Sequence, residues 1–160
     1  MLIEMSIKGL MIDPITNMPI VILRDADHQR VLPIWVGPVE ANAIALQIEN
    51  VAPPRPMTHD LLRNVLTEFG ATLKRVVVSD LQDSTFYAYL ELDRLGEAIL
   101  VDARPSDAIA LALRTCTPIF VNTKVLDQAK TVDVTTEQAD QERLQKWLES
   151  LDPDEMGYKM

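Results

Sequence analysis

The chain has 160 residues, 48% of them hydrophobic, with 24 acidic against 15 basic side chains and a formal net charge of −9. That is enough apolar material for one domain core without a disulfide or metal staple, and the lone Cys116 excludes an internal disulfide and a thiolate-rich zinc site. The acidic balance repels bare phosphate backbones at long range, so any contact with nucleic acid needs a local cationic patch or a bound ion.

The opening segment, MLIEMSIKGLMID, alternates like a strand and carries Glu4 and Lys8, which argues against a signal peptide. No later run reaches membrane-spanning length. A cytoplasmic chain with no membrane partner is therefore expected, with Cys116 as a free buried thiol. PIVIL (19–23) and VLPIW (31–35) read as two further strands, separated from the first by the turn signal DPITN. PVEANAIAL (38–46) then reads as a helix whose apolar residues leave only narrow polar lines, which predicts burial on more than one side.

APPRP (52–56) ends this unit. A connector helix comes next, with Thr58 as its expected cap and Gly70 as its stop. Leu61, Leu62, Val65, Leu66 and Phe69 form an apolar stripe on it, expected to cover the join between the chain segments on its two sides.

From residue 73 the pattern begins again at an offset of 67 positions. The runs at 73–79, 86–90 and 98–102 match those at 5–12, 19–23 and 31–35, and PSDAIALAL (105–113) matches PVEANAIAL. The expected architecture is α+β: duplicated β-β-β-α units forming a compact layered domain over residues 1–130, with a connector helix. VTTEQADQERLQKWLESL reads as a C-terminal helix, capped by Thr135 or Thr136, with Ala139, Leu144, Trp147, Leu148 and Leu151 as docking residues. Residues 131–160 are thus a helical appendage and loose tail, set against the core or another subunit.

Chemistry concentrates at the helix starts. Glu40 and Asp107 are matched repeat positions just after Pro38 and Pro105. If Gly37 and Arg104 are the N-caps, both carboxylates fall at N3, where they either satisfy backbone groups or hold an ion and orient water. In VDARPSDA (101–108), Asp102 ends a strand, Arg104 occupies the turn and Ser106 starts the helix, a combination suited to an anion. Ser106 lacks the flanking glycines of a nucleophile elbow. In RPMTHD (55–60), Arg55 suits a phosphate, His59 a proton transfer or a metal, and Asp60 either a metal, the histidine or the first helical turn.

Other charged positions have two readings: Asp13, Asp80 and Asp83 form solvated turns or join an acidic metal site, Arg75 lies on a wet sheet face or enters a cleft, and His28 sits exposed in a polar turn. Trp35 and Trp147 are assigned to packing. No phosphate loop, dinucleotide glycine turn or H-E-x-x-H motif is present.

LPIWVGPVEANAIA, RPMTHDLL and DARPSDAIALALR together resemble the bifunctional nuclease domain family, over approximately residues 2–122. The resemblance implies a duplicated α+β domain and metal-assisted hydrolysis of DNA and RNA phosphodiester bonds. On that reading His59, Asp102 and Asp107 are the catalytic candidates. Glu40, Asp102 and Asp107 would hold Mg²⁺ or Mn²⁺, and Arg55 and Arg104 would contact the substrate phosphate. Two other classes fit the same residues: a non-catalytic nucleic-acid or protein-binding regulatory module, and a structural homo-oligomer.

Overall fold

Each repeat unit folds as a three-stranded meander followed by a helix in a computed structural model, which describes residues 1–26, 30–129 and 132–133. The first unit comprises β1 (Leu2–Ile12), β2 (Pro19–Asp25), β3 (Arg30–Trp35) and α1 (Pro38–Ile48). The connector helix is α2 (Thr58–Glu68). The second unit comprises β4 (Ala71–Gln82), β5 (Thr85–Arg94), β6 (Glu97–Ala103) and α3 (Pro105–Thr115), so α3 spans the bounds of α1 shifted by the sequence offset. Three short elements outside the repeat complete the fold: β7 (Ile119–Asn122), α4 (Thr123–Gln128) and β8 (Val132–Asp133). The expected C-terminal helix with Trp147, and His28, lie outside the described residues.

Local chemistry explains the tight second meander. Asp83 and Ser84 both have positive φ (49° and 63°), as do Leu95 and Gly96 (52° and 82°). Both pairs therefore make two-residue hairpin turns whose twist matches the strands they join. In β5 the alternation is clean: Phe86, Ala88, Leu90 and Leu92 are buried, and their neighbours face outward.

All eight strands form one sheet in the order β6-β5-β4-β7-β1-β2-β3-β8. The order of the second unit thus mirrors that of the first about β7. That strand pairs antiparallel with β1 and parallel with β4, so the two units run in opposite directions. In the first unit, Ile20, Val21, Ile22 and Leu23 are consecutive and buried, which means β2 is covered on both faces. Trp35 is fully buried, as a packing residue should be, and donates its Nε1–H to Asp13 Oδ2 at 2.8 Å. Asp13 also accepts from the Ile15 backbone and the Thr16 hydroxyl, which fixes the first turn.

The duplicated helices are not equivalent in the fold. α3 lies on β4 and β5 and against α1 and α2, and it buries Ala108, Ile109, Ala110, Leu111 and Ala112. Among the described residues α1 packs against one helix, α3, and buries only Ala41 and Ile44, leaving Val39 81% exposed. The expected burial on more than one side is thus extensive on α3 and slight on α1.

Three further expectations are corrected. The N-cap of α2 is Met57, with Thr58 at the first helical position, because Asp60 accepts from the Met57 backbone N–H (3.0 Å) and closes the helix start. The apolar stripe of α2 does not cover the repeat junction: Leu61, Leu62, Val65 and Phe69 are exposed, while Leu66 packs on the core and Asp60 is buried. A buried ion pair at Asp60 turns that polar face inward and the apolar row outward. Cys116 is free but exposed, in the left-handed conformation (φ 51°) that ends α3.

Candidate functional site

The starts of α1, α2 and α3 meet at one pocket. Pro38 and Pro105 occupy the first helical position, where a missing N–H costs nothing, and Gly37 and Arg104 are the N-caps. Glu40 and Asp107 therefore sit at N3 of their helices, as expected. Neither helix start has a side-chain cap hydrogen bond from its N-cap residue.

The side chains form a chain of charge-assisted hydrogen bonds. His59 Nε2 lies 2.9 Å from Asp107 Oδ1, Arg104 donates Nε–H to Asp107 Oδ2 at 2.9 Å, and Arg104 Nη1–H to Glu40 Oε1 at 3.1 Å. All three helices thus contribute to one row, His59–Asp107–Arg104–Glu40. Burial of the Asp107 carboxyl works to raise its pKa, but the hydrogen bonds from Arg104 and His59 outweigh it and hold the group below its ordinary value. The Arg104 guanidinium is pushed further up, chiefly by its hydrogen bond to Asp107. The pocket, about 210 Å³, is lined by these four residues together with Asn42 and Arg114, among others.

Beneath the row, Arg114 fixes the three helices to one another. Its Nε–H donates to Asp60 Oδ1 on α2 (2.8 Å), Nη1–H to the Ala110 carbonyl on α3 (2.8 Å) and Nη2–H to the Ala43 carbonyl on α1 (2.9 Å). Its side chain is 1% exposed. Burial raises the pKa of Asp60, but its hydrogen bonds from the Met57 backbone and Arg114, and the Arg114 charge, hold it below the usual carboxylate range. Sequence reading missed Arg114. The one available signal was a lone cation near the end of an otherwise apolar helix, a pattern that ordinarily marks favourable interaction with the helix terminus.

Among the candidate residues, Glu40, His59, Arg104 and Asp107 converge. Asp102 does not join them: it is exposed on β6, opposite Tyr89 in the ladder. Arg55 lines a separate pocket with Arg63 and Asp60. Ser106 is buried beneath the start of α3, and its hydroxyl has no partner among the described residues. Asp80 is tied to Leu81, Gln82 and Lys124, and Arg75 pairs with Glu91 and lies over the Phe120 ring (5.7 Å), so both serve the sheet.

The donor set does not match a divalent ion in this arrangement. Arg104 lies between the two carboxylates and engages both, and His59 takes the remaining oxygen of Asp107. Among the described residues no group of three or more His, Cys, Asp or Glu side chains is placed to share one ion.

Comparison with known proteins matches the chain to the bifunctional nuclease domain over residues 21–133, which takes in the entire row and Arg114. An uncharacterized protein of Mycobacterium tuberculosis is 43% identical over 161 residues, covering 95% of this chain and 96% of its own length. Bifunctional nuclease 2 of Oryza sativa subsp. japonica is 32% identical over 108 residues, 65% of this chain but 33% of the plant protein. Bifunctional nuclease 1 of Arabidopsis thaliana is 30% identical over a similar span. With the family matched from within β2 through the whole second unit, including the helix starts that hold the row, the chain belongs to the bifunctional nuclease domain family.

Proposed function

We propose that this chain hydrolyses phosphodiester bonds of DNA and RNA at the pocket where the three helix starts meet. The observation that carries the reading is the row itself, a histidine oriented by a carboxylate beside a guanidinium that is 46% exposed. With Asp107 accepting from His59 Nε2–H, His59 Nδ1 is the nitrogen available to take a proton from an attacking water. The water oxygen forms the new bond to phosphorus, the P–O bond to the leaving oxygen breaks, and that oxygen is protonated from solvent. Arg104 Nη2, which has no hydrogen bond among the described residues, binds a non-bridging phosphate oxygen as charge builds there. Glu40 holds the guanidinium from its other side.

The Mg²⁺ or Mn²⁺ requirement implied by the family resemblance enters no step, because Arg104 engages Glu40 and Asp107 and the third expected ligand, Asp102, stands apart on β6. The test is cleavage by the purified full chain of single-stranded DNA, double-stranded DNA and RNA, each with Mg²⁺, with Mn²⁺ and with EDTA. Cleavage that survives EDTA and falls in H59A supports the side-chain mechanism. Cleavage abolished by EDTA and restored by metal retains the nuclease but replaces that mechanism with one in which Arg104 gives way to an ion. No cleavage under any condition removes the nuclease reading and leaves the row as a binding surface.

A further inference from the structure

β6 stands at one end of the sheet and, among the described residues, pairs on one side only, with β5. Exposed strand edges are templates for pairing, and proteins usually blunt them with Lys, Pro, bulges or very short strands. β6 has none of these and carries only two acidic side chains, Glu97 and Asp102, as charge on its edge. It runs seven residues, EAILVDA, in unbroken register with β5, and it contains no Lys, Arg or Pro. Leu100 is 63% exposed on one face and Val101 40% on the other. At the opposite end of the sheet, β8 is only two residues long.

The hydrogen-bond parity of β6 defines which groups are available. Arg94 and Glu97 close a two-residue turn and so form a hydrogen-bonded pair. Alternation along an antiparallel ladder then makes 92/99, 90/101 and 88/103 hydrogen-bonded pairs as well. Ala98, Leu100 and Asp102 therefore turn their N–H and C=O groups away from β5, toward the free edge.

We propose that this edge pairs with the same edge of a second copy of the chain, antiparallel and centred on Leu100, to give a sheet continuous across a two-fold axis. In that register Leu100 faces the partner's Leu100 and Ala98 faces the partner's Asp102, so every outward-turned residue meets another outward-turned residue. The side chains are self-complementary in the same register: Ile99 meets Val101, Glu97 meets Ala103, and neither acidic residue stands opposite a like charge. A shift by one residue would set outward groups against inward ones, and a shift by two would move the leucines apart. The match of the edge to itself in both backbone parity and side chains selects a second copy as occupant. Continued one step, the register sets Gly96 of the partner subunit level with Arg104, so the hairpin tip of one subunit reaches the site corner of the other.

Light scattering on the full chain across a concentration series tests the pairing. The wild type is expected to approach twice the 18.0 kDa chain mass. L100K, which sets two like charges across the axis, and L100P, which removes an N–H that β5 does not use, are expected to stay at the single-chain mass with unchanged circular dichroism. L100C in a C116S background is expected to form an intermolecular disulfide, since facing Cα atoms of a hydrogen-bonded pair are about 5.5 Å apart. A wild type that remains single at every concentration overturns the proposal. So does a dimer that persists in both L100K and L100P, which would assign assembly to another surface such as the exposed row of α2. Neither outcome depends on the nuclease reading.

Discussion

Arg114 and Asp60 form a buried ion pair, 2.8 Å between Nε and Oδ1, across 54 positions of sequence. Removing one member of such a pair leaves the other buried without its counter-charge, which costs about 3–5 kcal/mol. R114M also leaves the Ala43 and Ala110 carbonyls without this donor. Urea unfolding is therefore expected to show R114M and D60N destabilised by about that amount, with a double-mutant cycle returning strong coupling between them.

Acid should weaken this junction. Asp60 and Asp107 both have folded pKa values below the ordinary 3.8. The unfolded chain takes up protons first, so the stabilisation is complete above that value and is lost as pH falls through the lower folded values. Urea midpoints measured from neutral pH down to about pH 3 are expected to fall mainly at the acid end, with a shallower fall in D60N and D107N.

H59A is expected to lose about 10²–10⁴ in kcat with its unfolding midpoint little changed, the range for removing a general base. D107N keeps the shape but supplies a neutral partner to both His59 and Arg104, and a loss of about 10²-fold or more in kcat is expected. Equal activity of either variant and wild type on matched substrates would remove that residue from the mechanism.

Gly37 answers a question of space. Its φ of −69° suits any residue, but a Cβ there would collide with the Glu40 carboxylate. G37A is expected to push Glu40 off Arg104 and reproduce the kinetic effect of E40Q, chiefly in KM. Stability should change by less than about 1 kcal/mol, because a half-exposed ion pair contributes little to folding.

Asp102 and Arg55 provide the contrast. Both stand outside the row, so D102N is expected to leave kcat within about threefold of wild type, against the 10²-fold scale of the catalytic variants. R55A is expected to leave kcat likewise and to act, if at all, through KM and its salt dependence.

The two repeat units were legible because their packing signals are local. Alternation marks strands, prolines mark helix starts, and a fixed offset across four elements survives divergence at most single positions. Those signals placed Glu40 and Asp107 at N3 and identified Arg104 and His59 as candidates. They could not separate Asp102 from Asp107, five residues apart, since a strand end and a helix start project their side chains in different directions. Nor could they reveal Arg114, whose three acceptors come from three helices.

By itself, then, the sequence determined the α+β class, the duplication, the buried character of α3 and the family, because each depends on periodicity or on residues close together in the chain. Only the tertiary structure decided that α3 is central while its repeat partner α1 is peripheral, that the stripe of α2 faces outward, and that a guanidinium sits between two of the three carboxylates expected to hold an ion. Those outcomes depend on which groups meet across 48 to 71 positions of chain, as at His59–Asp107 and Arg114–Ala43, and no local pattern encodes such meetings.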